Sequence, residues 1–156
     1  MTRHPDVVLR PARPAEATAL TGLALRSKAS WGYEPAFMDA CTDELTITPD
    51  RCAGRLVVAE RAGAFVGYAE LDGGPPRVEL RGLFVEPGQQ GGGIGRMLFD
   101  DACRRAAALG ATTLFWDADP FAEEIYVRLG GRTVGRAPSG SVPGRMLPRM
   151  ELDLRA

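Results

Sequence analysis

Apolar and polar residues alternate along the chain with two periods, and these divide it into strands and helices. Short runs of apolar and β-branched residues predict strands, and apolar positions at three- to four-residue steps predict helices. The predicted strands are Val7–Leu9, Leu56–Glu60, Phe65–Leu71, Arg77–Val85, Thr112–Trp116, Arg132–Val134 and Met150–Leu154. The predicted helices are Pro14–Ser27, a short helix carrying Phe37, Met38 and Cys41, then Gly93–Leu109 and Asp119–Leu129. This order of elements indicates an α/β domain with a mixed sheet.

Composition limits the class of protein. The 156 residues suit a single domain over residues 1–156, and the 45% apolar and 25% charged fractions are those of an ordinary soluble globular protein. The net charge of −1 argues against a nucleic-acid partner, because sequence-independent binding needs a basic excess. No apolar run approaches the ~18 residues that span a membrane, and the first residues lack the pattern of a secretory signal. We therefore expect neither nucleic acid nor membrane as a partner.

The cysteines and the histidine bear on which disulfides, metal sites and catalytic triads the chain can form. Cys41, Cys52 and Cys103 are odd in number and widely spaced, which favours a reducing cytoplasm over a disulfide framework. The single histidine, His4, lies near the start of the sequence. This argues against a zinc site and against a Ser-His-Asp triad, so no metal is expected.

The segment Pro87–Gly95 is the most informative part of the sequence. The strand Arg77–Val85 runs into glycines, and the glycines run into a helix. Unpaired N–H groups at a helix N-terminus, with no side chains in the way, favour a bound phosphate. The P-loop pattern fails because Ile94 stands where it requires lysine. The dinucleotide pattern fails because Arg96 and Leu98 stand where it requires glycine.

A third loop pattern fits. Residues Gln90–Gly95, Q-G-G-G-I-G, match the Q/R-x-x-G-x-G/A signature, so the chain resembles the GNAT superfamily of N-acetyltransferases, in which this loop holds the pyrophosphate of acetyl-CoA. Downstream, Asp119–Tyr126 and Gly130 resemble the family's N-x-x-A-x-x-x-Y-x-x-x-G-F, with Asp119 in place of Asn and Gly131 in place of Phe. The first change affects a coenzyme hydrogen bond and the second an apolar anchor. The order of elements is also that of the family, so the resemblance covers nearly the whole chain.

The resemblance implies both a fold and an activity. The fold is α/β and GNAT-like, with a mixed, mostly antiparallel central sheet, helices on both faces and a splay between the fourth and fifth strands. The activity is a cytoplasmic N-acetyltransferase that uses acetyl-CoA as co-substrate and acetylates a primary amine of a small molecule or peptide by direct attack in a ternary complex. A homodimer is compatible with this interpretation. The alternatives are a non-catalytic acyl-CoA-binding sensor or regulatory module on the same fold, and a phosphate-ligand module unrelated to acyl transfer.

The resemblance also assigns residues to the coenzyme. The end of the strand before the loop would offer backbone groups to the pantetheine arm. Gly82 would mark a bulge that splays this strand from its neighbour; the alternative is a plain core strand with a glycine kink. The residues implied in coenzyme binding are Leu83, Phe84, Val85, Gln90, Gly91, Gly92, Gly93, Ile94, Gly95, Arg96 and Asp119.

Glu79 is the candidate base. It lies six residues before Val85, the offset of a catalytic carboxylate in the histone-modifying branch of the family. An amine attacks only when neutral, so a base must take its proton, directly or through water. The alternative is an outward-facing carboxylate paired with Arg77 or Arg81. Asp117, at the end of the next strand, is a second candidate base.

Tyr126 is the candidate acid, because it matches the tyrosine of the family motif. Its phenol would give a proton or a hydrogen bond to the thiolate of departing coenzyme A. The alternative is a buried tyrosine tied to a backbone carbonyl. Nothing in the sequence places a cysteine beside a histidine base, so a covalent cysteine intermediate is not expected.

Two segments are implied in binding the acceptor. Lys28, Trp31 and Tyr33 lie where the two N-terminal helices of the family border the acceptor pocket, and the alternative for them is ordinary packing. Ser139 and Ser141 lie in the loop between the last two strands, which overhangs the acceptor in relatives. The alternative for this pair is a polar turn.

Overall fold

The computed structural model describes residues 6–89 and 92–155, which form a seven-stranded sheet flanked by five α-helices. The strands are β1 (Val7–Pro11), β2 (Leu56–Arg61), β3 (Ala64–Asp72), β4 (Arg77–Val85), β5 (Thr113–Asp117), β6 (Arg132–Pro138) and β7 (Met146–Asp153). The helices are α1 (Ala17–Ala29), α2 (Pro35–Leu45), α3 (Pro49–Cys52), α4 (Ile94–Ala108) and α5 (Glu123–Arg128). Short 3₁₀ helices, Pro14–Glu16 and Pro120–Ala122, precede α1 and α5. Within the described ranges, no helix is both long enough and apolar enough to cross a membrane.

The sheet is mixed and mostly antiparallel, as the resemblance implied. Its strands follow the order β1-β2-β3-β4-β5-β7-β6. Every neighbouring pair is antiparallel except β4 and β5, which are parallel. The parallel pair lies near the middle of the sheet, where the glycine segment follows β4.

The strands β4 and β5 separate soon after they meet. Their pairing ends where Glu79 faces Phe115, whereas β3 stays paired with β4 as far as Val85. In the described part of the chain, residues 80–85 therefore turn a row of backbone groups without strand partners towards the gap. The expected splay between the fourth and fifth strands is confirmed.

A bulge in β4 accompanies the separation. Gly82 faces Glu70 and Leu80 faces Leu71, so Arg81 is an extra residue on β4. A bulge bends the strand that carries it and increases the local twist. The bulge expected at Gly82 thus lies at its immediate neighbour.

Helices cover both faces of the sheet, each over its own hydrophobic core. The core beneath α4 contains the fully buried Leu98 and Phe99, and the core beneath α1 contains Leu20. Alternate residues of β3 enter both cores, Tyr68 on the α1 side and Ala69 on the α4 side, because successive strand side chains point to opposite faces. We call these sides the α1 face and the α4 face.

The last hairpin is longer than the sequence predicts. β6 extends to Pro138 rather than Val134, and β7 begins at Met146 rather than Met150. Most side chains of β6, an edge strand, are exposed, so no alternation of apolar and polar residues marks its second half. Pro148 also lowers the strand signal in β7 because proline has no backbone N–H to donate.

Candidate active site

A cavity of about 870 Å³ follows the gap between β4 and β5. On the α4 face it is lined by the start of α4 and by α5, and on the α1 face by residues of α1, α2 and β3. This volume accommodates a ligand much larger than a simple amine. The cavity connects the glycine segment with the region predicted to bind the acceptor.

The start of α4 presents backbone donors to the cavity. Gly93 is its N-cap, with a φ of 88° in the left-handed region that glycine adopts without strain. The N–H groups of a first helical turn lack intrahelical acceptors, and Gly93, Gly95 and Arg96 all line the cavity. The Arg96 side chain is 49% exposed, and its only ion-pair contact among the described residues, with Asp100, is a long 3.8 Å. A helix N-terminus beside such a cation suits a phosphate group.

The other residues of the predicted loop differ in their placement. Ile94 is 1% exposed and packs in the core of the α4 face, so its side chain anchors the helix and only its backbone can face a ligand. Gly92 is exposed at the approach to α4. Gln90 and Gly91 lie outside the described residues.

The end of β4 forms one wall of the cavity. Leu83, Phe84 and Val85 all line it, at the edge that β5 leaves free. A Cβ at Gly82 would lie 3.2 Å from Cε2 of Phe84, so glycine admits this ring, which also packs 5.5 Å from Tyr68. An extended chain carrying amide groups can hydrogen-bond to such an edge as an added strand does.

Tyr126 projects from α5 into the cavity lining. Its ring centroid lies 5.1 Å from that of Trp116 and 6.1 Å from that of Phe99. Its hydroxyl has no hydrogen-bond partner among residues 6–89 and 92–155, so the alternative of a tie to a backbone carbonyl is not observed there. Burial, with a smaller effect of the Asp119 carboxylate, raises the pKa of Tyr126 above its usual value. The phenol therefore stays protonated and can donate.

Glu79 is a partly buried carboxylate without a partner in the described structure. The two arginines considered for it are engaged elsewhere. Arg77 pairs with Glu151 at 2.7 Å, and Arg81 approaches Asp72 at 3.7 Å. The outward-facing ion pair is thus not observed, and Glu79 lines the cavity instead.

The surroundings of Glu79 favour its protonated form. Burial, followed by the nearby carboxylates Asp72 and Asp117, raises the pKa of Glu79, and Arg81 and Arg149 offset this only in part. Asp117 also lines the cavity, but Arg149 holds both of its oxygens, at 2.8 and 3.1 Å. Glu79 is therefore the better placed of the two candidate bases.

The residues predicted around the acceptor form two groups. Lys28 and Trp31 line the cavity, and Trp31 stacks on Phe121 with a centroid distance of 5.8 Å. Tyr33 is not part of the lining, and its hydroxyl donates a hydrogen bond to Asp119 at 2.9 Å. Lys28 pairs with the same carboxylate at 3.0 Å. Asp119, expected at the coenzyme, also lines the cavity, and its carboxylate is bound by Lys28 and Tyr33.

The hydroxyls of Ser139 and Ser141 make contacts within the protein. The Ser139 hydroxyl accepts hydrogen bonds from the N–H groups of Ser141 and Val142, at 3.2 and 3.1 Å. The Ser141 hydroxyl contacts the Cys41 sulfur at 3.6 Å. The neighbouring Gly140 lines the cavity, whereas the two serines do not, as the polar-turn alternative expects.

One buried ion pair in the cavity lining is not among the predicted site residues. Glu70 is 3% exposed, and Arg51 donates to its two oxygens at 2.5 and 3.0 Å. Arg51 also donates to the Thr46 carbonyl at 2.7 Å, so it links α3 to the residue after α2 as well as to β3. A glutamate inside the apolar run of β3 is the sequence signal that points to such a pair.

Carboxylates outnumber arginines where the α1 face borders the cavity. The carboxylates are Asp43, Glu44, Glu70, Asp72, Glu79 and Asp117, and the arginines are Arg51 and Arg81. Lys28 and Asp119, which also line the cavity, pair with each other, so an excess of carboxylates remains and favours a cationic ligand at this part of the cavity.

The splayed parallel strand pair and the glycine segment that opens a helix are features that the GNAT resemblance implied, and one cavity joins them. Residues 23–130, more than half of the chain, match the model of the Acetyltransferase (GNAT) family. The chain belongs to this family. No curated protein matches it.

Solved structures show the same fold. A GCN5-related N-acetyltransferase from Rhodopseudomonas palustris, also described as a class-II aminotransferase, is 25% identical with a TM-score of 0.81, over 98% of this chain and 99% of that one. The PaiA N-acetyltransferase from Thermoplasma acidophilum, solved with coenzyme A, is 16% identical with a TM-score of 0.75, over 94% and 98%. YncA from Salmonella typhimurium, solved with acetyl-CoA, is 23% identical with a TM-score of 0.67, over 95% and 94%. The GNAT-like fold is confirmed.

Proposed function

We propose that this chain transfers the acetyl group of acetyl-CoA to a primary amine of a small molecule or peptide, by direct attack in a ternary complex. One observation carries the proposal: a carboxylate, Glu79, and a phenol, Tyr126, line the same cavity, and the described residues offer a hydrogen-bond partner to neither. The donors at the start of α4, with Arg96, suit the coenzyme pyrophosphate. The excess of carboxylates on the α1 face suits an amine that arrives as a cation.

The two side chains have complementary proton chemistry. Acetyl-CoA supplies the thioester. As the amine nitrogen bonds to the acetyl carbon, Glu79 takes the amine proton, directly or through water. As the carbon–sulfur bond breaks, Tyr126 gives a proton or a hydrogen bond to the sulfur. The raised pKa of Glu79 makes it a stronger base than an ordinary carboxylate, and the raised pKa of Tyr126 keeps its proton in place.

The cysteines support direct attack over a covalent intermediate. Burial raises the pKa of Cys52, and it raises the pKa of Cys103 to about 11. Both are therefore protonated thiols at neutral pH, and the thiolate is the nucleophilic form. Cys41 is buried, and its sulfur accepts the hydroxyl of Ser141.

The experiment is an amine screen that measures released coenzyme A with a thiol reagent and the acetylated product by mass spectrometry. The panel holds amino acids, polyamines, aminoglycosides and peptides with free N-termini, and a sample without amine measures background hydrolysis. We expect release of coenzyme A with at least one amine. Double-reciprocal plots of the initial rate, measured at varied concentrations of both substrates, should give intersecting lines. Calorimetric binding of acetyl-CoA without release for any amine would identify a sensor. Parallel lines would indicate a covalent intermediate.

We further propose a cytoplasmic location. All three cysteines are free. This supports a reducing compartment, since oxidising ones favour disulfides. Cell fractionation with detection of the chain tests it, and recovery in a secreted fraction would contradict it.

A further inference from the structure

Asp119 is the point at which three segments of the chain meet. Lys28 comes from the end of α1, Tyr33 from the connection to α2, and Arg145 from the turn before β7. The carboxylate receives the Lys28 ammonium at 3.0 Å, the Tyr33 hydroxyl at 2.9 Å and the Arg145 guanidinium at 3.6 Å. The Lys28, Asp119 and Arg145 side chains are 14%, 13% and 18% exposed. We call these four residues the Asp119 cluster.

An aromatic pair completes the Asp119 cluster. Tyr33 stacks on Phe37, the third residue of α2, with a centroid distance of 4.1 Å. Arg145 lies 4.8 Å from the Phe37 ring centre, and Lys28 lies 5.3 Å from that of Tyr33. Arg145 also donates to the Tyr33 hydroxyl at 2.5 Å. Cation–π contacts and hydrogen bonds thus hold α2 and the turn before β7 to one carboxylate.

The segments that the Asp119 cluster joins border the acceptor part of the cavity. α2 contributes Cys41, Asp43 and Glu44 to the lining, and the turn before β7 contributes Gly140. Glu44 lies beside this turn, because a Cβ at Gly140 would be 3.9 Å from its carboxylate. A shift of either segment would therefore move the wall that faces the amine.

Most of the bonding capacity of Asp119 is used within the protein. A carboxylate accepts about four hydrogen bonds and donates none. The oxygens of Asp119 accept from the Phe121 N–H at 2.9 Å, from Lys28 at 3.0 Å and from the Tyr33 hydroxyl at 2.9 Å, and Arg145 lies at ion-pair distance, 3.6 Å. Asparagine, which the resemblance places here as a coenzyme contact, also has an N–H₂ donor that aspartate lacks.

We propose that Asp119 is a positioning residue for the wall of the amine site, acting through Lys28, Tyr33 and Arg145, and not a contact of the coenzyme. The proposal rests on the proposed acetyl transfer. It predicts that a change at Asp119 alters the kinetics of the amine and leaves the affinity for acetyl-CoA unchanged.

The test starts from Asp119→Asn. Asparagine has the same shape and its oxygen can still cap the Phe121 N–H, while the change removes the charge and places an N–H₂ donor against Lys28 and Tyr33. We expect kcat/KM for the amine to fall about 10- to 100-fold, mainly through a higher KM, because small displacements at a site carry costs of this size. The calorimetric Kd of acetyl-CoA should change less than about twofold. Asp153→Asn breaks a surface ion pair with Arg155 and is the matched control, which should alter neither quantity.

A double-mutant cycle is completed by Lys28→Gln and by the double variant Asp119→Asn/Lys28→Gln. If the Asp119 cluster acts as one unit, the double variant is no worse than the poorer single variant; independent effects would multiply and contradict the proposal. Lys28→Gln leaves Asp119 in contact with Tyr33 and Arg145. If Asp119→Asn does not fold, the kinetics of Lys28→Gln alone test the proposal. A tenfold weaker Kd for acetyl-CoA with an unchanged amine KM would make Asp119 a coenzyme contact. Wild-type protein that turns over no amine would refute the acetyl transfer itself, whereas an active wild type makes the variants a test of the Asp119 cluster alone.

Discussion

The hydroxyl of Tyr126 can be deleted with little effect on the packing around it. Tyr126→Phe keeps the ring that contacts Trp116 and Phe99. The lost oxygen makes no hydrogen bond with the described residues. The free energy of unfolding should therefore change by less than the ~1 kcal/mol that a net hydrogen bond contributes. For a chain of this size, Tm then shifts by less than about 4 °C.

Turnover should respond strongly to the same change. Coenzyme A leaves as a thiolate, and a thiol pKa of about 8.5 makes it a moderately poor leaving group, so one positioned donor has a substantial effect. We expect kcat to fall about 10- to 1,000-fold, which corresponds to about 1.4 to 4.1 kcal/mol of lost transition-state stabilisation. The Kd of acetyl-CoA should stay close to that of the wild type, because the ring remains in the cavity wall.

The assay is coenzyme A release at saturating amine, with thermal unfolding and calorimetry on the same preparations. Tyr33→Phe is the contrasting variant, because its hydroxyl donates to Asp119 and accepts from Arg145. Its Tm should fall, whereas that of Tyr126→Phe should not. A Tyr126→Phe protein with a lower Tm and full turnover would assign the hydroxyl to structure and leave the thiolate to water.

Three further substitutions test the base, the loop and the packing. Glu79→Gln should lower kcat/KM about 100-fold and remove the acidic limb of the pH profile. It should also raise Tm at neutral pH, because a carboxylate whose folded pKa is raised loses stability as pH rises through that pKa; an unchanged pH profile would contradict its role as base. Gly93→Asp should weaken acetyl-CoA binding at least tenfold, about 1.4 kcal/mol, and Gly93→Asn, equal in bulk and backbone strain, should weaken it less; unchanged affinity in both would refute the loop assignment. Gly131→Ala would place a Cβ 2.8 Å from Cζ2 of the buried Trp116 and should lower Tm by about 4 to 8 °C, so an unchanged Tm would show that the indole can yield.

Local signals made the glycine segment and the start of α4 predictable. The glycines before α4 end a strand and start a helix with a continuous apolar face, and both features are properties of neighbouring residues. The structure places Gly93 in the left-handed conformation that only glycine adopts freely. Gly82 pointed to a bulge for the same local reason, and the extra residue is its neighbour Arg81.

The Asp119 cluster depends on contacts between distant residues and could not be predicted in the same way. Lys28 and Asp119 are 91 positions apart, and Tyr33 and Arg145 are 112 apart. Side-chain pairing over such separations follows from the topology of the sheet, which brings the end of α1 next to the residue after β5. A periodicity within one element carries no information on it. Lys28 and Tyr33 could be placed near the acceptor by resemblance, but their shared carboxylate could not.

Gly131, which stands where the family motif has phenylalanine, shows how the site and the core depend on each other. The resemblance implied a weakened apolar anchor at this position, yet the Trp116 indole already fills the adjoining space, so any side chain there would collide with it. Trp116 is 2% exposed and lies edge-on to Phe99, with ring centroids 5.5 Å apart. The same indole supports the ring of Tyr126. The anchor is therefore supplied by β5, and the packing of the α4-face core sets the position of the phenol. A smaller side chain at Trp116 should then lower kcat together with Tm, unlike Tyr126→Phe, which separates the two.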